Sequence, residues 1–327
     1  MTAEIDMSND RANIAYCGEI PWHGLGQKVE DPNAPIGVWA EASGLTWEAV
    51  QKPIFLEGSA SPIADMAAIT RNDTGDVLSV MSSRYCLVQP ASILELIDVA
   101  RQRIGVTAEV MGSLHGGKRI WALCDSRNSF DVGNGDEIKR YLLVFTSYDG
   151  SLPTSARLTA IRVVCQNTLS AALREGTVLI NQTHKSSIDV SSTLDDMDEL
   201  AHAEVGSWEE FKDQLLVLGR KSLSPKQATD YFQSVLYPNF LLASNDREIQ
   251  PELATRSKNK IDRLVELMET GPGANLPLAR GTYWGAYNAL TYYLDHEKAR
   301  TVDANLQNAF WQAGSMKTRA LQLALAA

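Results

Sequence analysis

The sequence has few of the features that mark secreted, membrane or disordered proteins. Its 327 residues include only 4 cysteines, which stand far apart and form no CxxC pair, so neither a zinc site nor a disulfide scaffold is indicated. No apolar run approaches the roughly 18 residues that a membrane-spanning helix requires. With 12 prolines, 22 glycines and 44% hydrophobic residues, the chain can bury a sizeable core. The first ten residues carry three acids and no hydrophobic stretch, so we expect no signal or transit peptide and a cytoplasmic location without membrane association.

Motifs of enzyme chemistry are also scarce. GxxxxGK[ST], HExxH and GxSxG do not occur, and Gly24-Leu25-Gly26 lacks the third glycine of a dinucleotide fingerprint. Asp295-His296-Glu297 offers three ligand types in a row, but consecutive helical residues point about 100° apart and do not share one ion. We therefore predict no catalytic residue, no metal and no cofactor.

The net charge of −10 argues against a protein that is basic throughout, but the charge is unevenly distributed. Residues 1–70 hold ten acids against three bases, and residues 191–210 hold seven acids and no base. Residues 211–327 hold fourteen bases against eleven acids. A local basic surface therefore remains compatible with the sequence, because a polyanion responds to the local field.

The first 190 residues predict a mixed α+β core domain with a strand-rich sheet and packed helices. Residues 65–70 and 77–82 flank a loop rich in Asn, Asp and Gly, which is typical of a β-hairpin. Apolar residues in 89–104 recur with helical spacing. Several further strands are predicted between 106 and 148.

Residues 159–174 predict an amphipathic helix. Its apolar positions follow the i, i+3, i+4, i+7 spacing, and Arg162, Gln166, Ser170 and Arg174 recur on the other face, with Asn167 beside them.

An acidic linker is predicted at 191–206, because seven like charges in 191–210 repel and few large apolar side chains accompany them. Residues 207–327 then predict a helical C-terminal region. Ser207 and Ser224 each open a capping box, and later helices are expected near 251–269, 281–299 and 302–325.

Basic and amide side chains of the core domain suggest a nucleic-acid surface, because Arg and Lys bind phosphates and amides reach sugars or base edges. The candidates are Lys118, Arg119, Arg157, Arg162, Gln166, Asn167 and Arg174. Trp121, Tyr141 and Tyr148 would stack bases if they faced outward from the sheet. The alternative is an ordinary solvated helix face with aromatic residues in the core.

Two other segments carry polar residues beside tryptophan. Trp22-His23 precedes two glycines, and such a turn either exposes a side chain to a ligand or serves the backbone geometry. Trp284, Asn288 and Asp295 share one face of a predicted helix, where Asn288 either fixes a contact within the protein or meets a ligand.

Several motifs together resemble a known family. They are Trp22-His23-Gly24-Leu25-Gly26, the run from Ile161 to Leu169, the run from Gly281 to Thr291, and Asp295-His296. In this order they resemble the phage- and plasmid-like family called domain of unknown function 932. The resemblance implies a bacteriophage or mobile-element origin and hence a bacterial host cytoplasm, but no activity. Trp22, His23, Trp284, Asn288, Asp295 and His296 are its motif residues, and their role is open.

The strand-then-helix order is also similar to that of phage single-strand annealing proteins, which assemble into rings or filaments. Our leading hypothesis is thus a non-enzymatic protein that binds single-stranded DNA, forms homo-oligomers and assists recombination or replication. A structural or host-interaction protein without nucleic-acid binding is one alternative. A hydrolase of nucleotides or nucleic acids, with His23 or His296 as acid or base, is the other.

Overall fold

The computed structural model describes residues 6–8, 11–18, 25–162, 167–168, 178–182, 208–238, 253–298 and 314–327. The described strands are β1 (Met7–Ser8), β2 (Arg11–Ala12), β3 (Ile14–Tyr16), β4 (Gln27–Lys28), β5 (Ala49–Phe55), β6 (Pro62–Arg71), β7 (Val77–Ser82), β8 (Thr107–Leu114), β9 (Arg119–Asp131), β10 (Glu137–Ser147), β11 (Thr154–Arg162), β12 (Asn167–Thr168) and β13 (Val178–Gln182). The described helices are α1 (Ile36–Ser43), α2 (Pro90–Ile104), α3 (208–220), α4 (Pro225–Leu236), α5 (Thr255–Thr270), α6 (Tyr283–Tyr292) and α7 (Gly314–Ala326). The chain is therefore mixed α+β, with strands in the first half and helices toward the C-terminus, which confirms the predicted fold class.

The larger sheet has the strand order β12-β11-β10-β9-β8-β3-β4, and β13 also pairs with β11. β8 and β9 pair antiparallel, with Leu114 opposite Arg119, while β3 and β4 pair in parallel. Between β8 and β9 the chain turns at His115–Gly117, where Gly116 and Gly117 have φ of 70° and 95°. These left-handed conformations favour glycine, since a Cβ would be strained there.

The smaller sheet has the order β5-β6-β7 and is antiparallel. The predicted hairpin of 65–70 and 77–82 is confirmed, because β6 and β7 pair across the loop, with Thr70 opposite Val77. Gly75 in the loop has a φ of 77°. The predicted helix of 89–104 is also confirmed as α2, which buries Ile93, Ile97 and Ala100.

The predicted helix of 159–174 is wrong wherever the structure describes this segment. β11 continues to Arg162, and Arg162 pairs with Asn167 of β12 in an antiparallel register. The β-branched residues Thr159 and Ile161 fit a pleated strand, and pairing with neighbouring strands outweighed the helical spacing of the apolar residues. Residues 163–166 and 169–174 lie outside the described residues.

In the helical region the predicted start of α4 is confirmed, α5 begins at Thr255 rather than near 251, and the start predicted at 302 lies outside the described residues. Ser224 caps α4 with the reciprocal hydrogen bonds of a capping box to Gln227. The predicted helix near 281–299 is α6, which Thr282 caps, followed by a π-helical turn at Tyr293–Glu297. The predicted cap at Ser207 lies outside the described residues.

The chain forms two compact units that are not contiguous in sequence. The first comprises Met1–Asn128, Arg140–Leu158 and Glu175–Glu204, and the second comprises Ser129–Lys139, Thr159–Arg174 and Val205–Ala327. The predicted boundaries at 190 and 207 stay a prediction. No helix in the described part of the chain is long and apolar enough to cross a membrane.

Candidate functional site

A buried ion pair lies in the second unit, between Asp136, which directly precedes β10, and Arg162 at the end of β11. Arg162 Nε donates to Asp136 Oδ1 at 2.6 Å, and its Nη2 donates to Oδ2 at 2.7 Å. Both side chains have 0% exposure. The two parallel hydrogen bonds are the bidentate geometry that a guanidinium forms with a carboxylate, which is among the stronger polar contacts in proteins.

Helix α6 adds Trp284 to this pair. The Trp284 Nε1 donates to Asp136 Oδ2 at 2.9 Å, and the Arg162 guanidinium lies 5.3 Å from the centre of the indole ring. Arg162 Nη2 also donates to the carbonyl oxygen of Gly273 at 3.1 Å. Thr282, as the N-cap of α6, sets Trp284 in the first turn of the helix. We call Asp136, Arg162 and Trp284 the Asp–Arg–Trp cluster.

The hydrogen bonds that Asp136 already accepts restrict the chemistry that the Asp–Arg–Trp cluster can perform. Each carboxylate oxygen of Asp136 accepts from Arg162, and Oδ2 accepts from Trp284 as well. A carboxylate that is buried and paired in this way does not reach a substrate proton. The cluster therefore holds strand ends and helix together within the second unit.

A small cavity borders the cluster. Its lining includes Arg162, Pro272, Asn288 and Tyr292, together with small residues such as Gly285. The cavity has room for about one water molecule. It is thus too small for a nucleotide or another metabolite.

A second buried ion pair joins the π-helical turn to α7. Lys317 Nζ donates to Asp295 Oδ1 at 2.6 Å, with 0% of the lysine side chain and 3% of the aspartate side chain exposed. Burial lowers the pKa of Lys317, and the charge of Asp295 opposes this shift. Burial also raises the pKa of the neighbouring Tyr287 well above the usual value for a tyrosine, and Asp295 adds to the shift.

The motif residues of α6 and the following turn are mostly buried. Asn288 is 4% exposed, and its Nδ2 donates to the carbonyl oxygen of Trp284 at 2.8 Å. The ring of His296 lies 4.7 Å from that of Tyr292. Asn288 thus contacts the backbone of its own helix. Trp22 and His23 lie outside the described residues.

The first unit contains a third buried cation. Arg71 of β6 is 2% exposed, donates to Asp6 Oδ2 at 2.6 Å and forms two hydrogen bonds with Asp73 at 2.9 and 2.8 Å. Its guanidinium lies 4.7 Å from the centre of the Trp47 ring. Through Asp6, which directly precedes β1, these contacts connect the β1–β2 strand pair to the small sheet.

The predicted nucleic-acid residues that the structure describes have different surroundings. Lys118 and Arg119 are half-buried at the start of β9, where Arg119 lies 3.8 Å from Asp149. Arg157 is half-buried and lies 4.8 Å from the centre of the Phe145 ring; burial lowers its pKa. Arg162 presents no surface to a ligand, which corrects the predicted exposed polar face. Gln166 and Arg174 lie outside the described residues, as does the side chain of Asn167.

The prediction that sheet aromatics stack bases is contradicted by their burial. Trp121 is 2%, Tyr141 5% and Tyr148 0% exposed. Tyr148 donates from its hydroxyl to the carbonyl oxygen of Val88 at 2.8 Å. These three rings belong to the core of the first unit.

Sequence reasoning missed a surface that combines basic and aromatic side chains on the second unit. Arg256 and Lys258 are exposed in the first turn of α5, and Lys260 is half-exposed one turn further. Burial, with contributions from Glu297 and Tyr237, raises the pKa of the half-exposed Tyr293, while Arg256 opposes the shift. The charge of Arg256 therefore acts on Tyr293. We call Arg256, Lys258, Lys260, Tyr237 and Tyr293 the basic-aromatic surface. The three bases within 256–260 are the signal in the sequence that could have indicated it.

Sequence reasoning also missed Asp136 and Lys317. Asp136 ends a polar loop and Lys317 is one cation in a mostly apolar helix, so neither belongs to a recognisable motif. Within the described residues, no group of three or more His, Cys, Asp or Glu side chains is placed to hold a metal ion.

These features define a mixed α+β protein whose second unit is held by two buried ion pairs. Residues 77–311 match the family described as Domain of unknown function (DUF932). The match spans more than half of the chain, and the chain belongs to this family. It covers Asp136, Arg162, Trp284 and Asp295. No curated protein and no solved structure matches the chain.

Proposed function

We propose that the protein binds single-stranded DNA without catalysing a reaction, and that it assembles into homo-oligomers in support of recombination or replication. The observation that carries the proposal is the basic-aromatic surface of α5. Cationic side chains attract phosphates, and half-exposed tyrosines offer rings on which unpaired bases stack.

The charges of the second unit favour a polyanion locally. Within the described residues of this unit, fourteen Lys and Arg stand against twelve Asp and Glu. Arg263 is neutralised by Glu297 at 2.6 Å and Glu266 at 2.7 Å. Arg256 and Lys260 lie on the same side of the helix, since they are four residues apart. The N-terminus of α5 adds the positive end of the helix dipole to this surface.

Lys118, Arg119 and Arg157 remain proposed contacts on the first unit, because they are half-buried rather than enclosed. Gln166, Asn167 and Arg174 are likewise proposed contacts. Arg162 is not part of the proposed surface, since its charge is already neutralised by Asp136.

The test is a fluorescence-anisotropy titration with labelled single- and double-stranded oligonucleotides over a range of salt concentrations. Replacing Arg256 and Lys260 with alanine removes two phosphate contacts. The slope of log affinity against log salt for the single strand should shrink by about 1.4, at about 0.7 per phosphate. Arg220→Ala with Arg280→Ala is the matched control, because both arginines are exposed on the same unit outside the basic-aromatic surface.

Two results contradict the proposal. The first is an absence of binding to either oligonucleotide at low salt. The second is an equal loss of slope in the control variant, which would mean that only overall charge matters. Replacing Tyr293 with leucine tests stacking, and should weaken single-strand binding while leaving the salt slope unchanged.

A further inference from the structure

The guanidinium of Arg157 in β11 is half-buried, yet no carboxylate within the described residues pairs with it. Arg71 and Arg119 of the same unit each have an acidic neighbour: Arg71 contacts Asp6 at 2.6 Å, and Arg119 lies 3.8 Å from Asp149. Burial alone shifts the pKa of Arg157, downward, and no acid opposes this shift. Charged groups that are partly removed from water are as a rule paired, so Arg157 lacks a counter-charge.

Neutral contacts hold the guanidinium of Arg157 in place. Its Nη2 donates to the hydroxyl oxygen of Ser155 at 3.1 Å, and it lies 4.8 Å from the centre of the Phe145 ring. Ser155 is fully buried, so this hydrogen bond fixes the side chain against the sheet. Nε is buried without an acceptor in the described part of the chain, and Nη1 has no hydrogen bond there either. Nη1 and the second hydrogen of Nη2 are therefore available to a ligand.

The neighbouring strand β13 brings a second polar side chain to the same face. It pairs antiparallel with β11 and sets the exposed Asn181 opposite Ser155, two residues before Arg157. In a regular pair such diagonal neighbours are about 7–8 Å apart, a gap that one small anion spans. The pairing register shifts between Ala156 and Arg157. Bulges of this kind are frequent beside functional sites, where they re-aim a side chain.

We propose that Arg157 is the main contact of a binding site for one phosphate group. Nη1 and Nη2 bond two of the phosphate oxygens in the bidentate geometry of a guanidinium, and the amide of Asn181 donates to a third. Three donors on two strands fit a tetrahedral phosphate better than a carboxylate, which has only two oxygens. The inference rests on the proposed function and deepens it, because a single strand supplies such phosphates. Free inorganic phosphate has the same chemistry.

The first test is isothermal titration calorimetry of the full chain with inorganic phosphate at constant ionic strength. Arg157→Met should raise the dissociation constant at least about tenfold, because charge-assisted hydrogen bonds are lost. Arg157→Lys should recover only part of the affinity, since an ammonium keeps the charge but not the two parallel bonds.

Arg101→Met is the matched control for the titration. Arg101 is also a half-buried arginine of the first unit, but it lies on α2 and pairs with Asp98 at 3.4 Å. This variant should bind phosphate as the wild type does. A wild-type chain that binds no phosphate, or an equal loss of affinity in both methionine variants, overturns the proposal.

The denaturation midpoint in chloride, without phosphate, separates a binding role from a structural one. Arg157→Met should not lower this midpoint, because it removes a half-buried charge that has no counter-charge. A sharply lowered midpoint would mean that Arg157 is paired within the protein, and would overturn the proposal.

A labelled single-stranded oligonucleotide distinguishes the two sources of phosphate. Arg157→Met should shrink the slope of log affinity against log salt by about 0.7, the value for one phosphate, while Arg101→Met keeps the slope. An unchanged slope, together with the loss of inorganic phosphate binding, upholds the site with free phosphate as its ligand.

The failure of this inference is distinguishable from failure of the proposed function. Phosphate binding that depends on Arg157, in a protein that binds no oligonucleotide, upholds the site and contradicts DNA binding. Oligonucleotide binding that Arg157→Met leaves unchanged, in a chain that binds no inorganic phosphate, does the reverse.

Discussion

Asp136 is the residue on which the Asp–Arg–Trp cluster depends, because it accepts from both Arg162 and Trp284. Removing two charges from water is costly, and the cost is offset only when their hydrogen bonds are complete. Here both oxygens of the carboxylate are bonded, and the pair is fully buried. The pair therefore stabilises one arrangement of the strand ends and α6, and loss of one partner would leave the other charge stranded.

Replacing Asp136 with asparagine should lower the free energy of unfolding by about 3–5 kcal/mol, since the Arg162 guanidinium is left buried without a counter-charge. Urea denaturation followed by tryptophan fluorescence measures the change. The double variant Asp136→Asn with Arg162→Met should recover part of the loss, because no unpaired charge remains.

Glu209→Gln is the control for the Asp136 experiment. Glu209 lies 4.0 Å from Lys212 on the exposed side of α3, and surface pairs of this kind contribute little. The denaturation midpoint of this variant should match that of the wild type. A midpoint equally unchanged in Asp136→Asn would show that the Asp–Arg–Trp cluster does not stabilise the fold.

At the scale of elements, the ends of helices are decided by local chemistry. Ser224 accepts from the backbone N–H of Gln227, and the Gln227 side chain accepts from the backbone N–H of Ser224 at 3.0 Å. Pro225 occupies the first helical position, where its missing N–H costs nothing. This is why the start of α4 could be predicted to the residue.

Replacing Ser224 with alanine should lower the free energy of unfolding by about 1 kcal/mol, because the reciprocal hydrogen bonds of the capping box are lost. Ser234→Ala in the same helix is the control, since the Ser234 hydroxyl donates a hydrogen bond to the carbonyl oxygen of Asp230 within the helix. Chemical denaturation of both variants separates the cap from a general effect of losing a hydroxyl. Equal effects would contradict the capping role.

β11 shows the opposite case, in which a local pattern misled. Residues 159–174 have apolar spacing that suits a helix, yet residues 159–162 add to a sheet. Pairing with strands distant in sequence supplies backbone hydrogen bonds that periodicity does not reveal. The burial of Arg162 has the same origin, since its partner Asp136 lies twenty-six residues earlier.

At the scale of the whole molecule, the second unit combines chain from before and after the predicted acidic linker. Ser129–Lys139 and Thr159–Arg174 belong to it together with Val205–Ala327. Contacts within this unit, such as that of Trp284 with Asp136, therefore join segments that lie on either side of residues 191–206.

Limited proteolysis should cut first within 191–206, where like charges are dense. The two fragments should then co-elute on size exclusion in native buffer and separate only in denaturant, because the second unit needs both. Mass spectrometry of the early products identifies the site. First cleavage elsewhere would contradict the linker prediction, and fragments that separate in native buffer would contradict the shared second unit.

The sequence by itself determined the α+β class, the β6–β7 hairpin, helix α2 and the cap of α4. Each depends on signals that lie within a few residues: turn-forming loops, helical spacing of apolar residues, and a serine three residues before glutamine. The family motifs around Arg162 and Trp284 could also be recognised in the sequence, but their role could not.

Only the tertiary structure decided that Arg162 is buried against Asp136, that Lys317 meets Asp295 and that the sheet aromatics are core. These outcomes depend on which elements pack together. The sequence does not distinguish an arginine that binds a phosphate at the surface from one that pairs with an aspartate in the interior. Only the burial of the partner in the folded structure distinguishes these two cases.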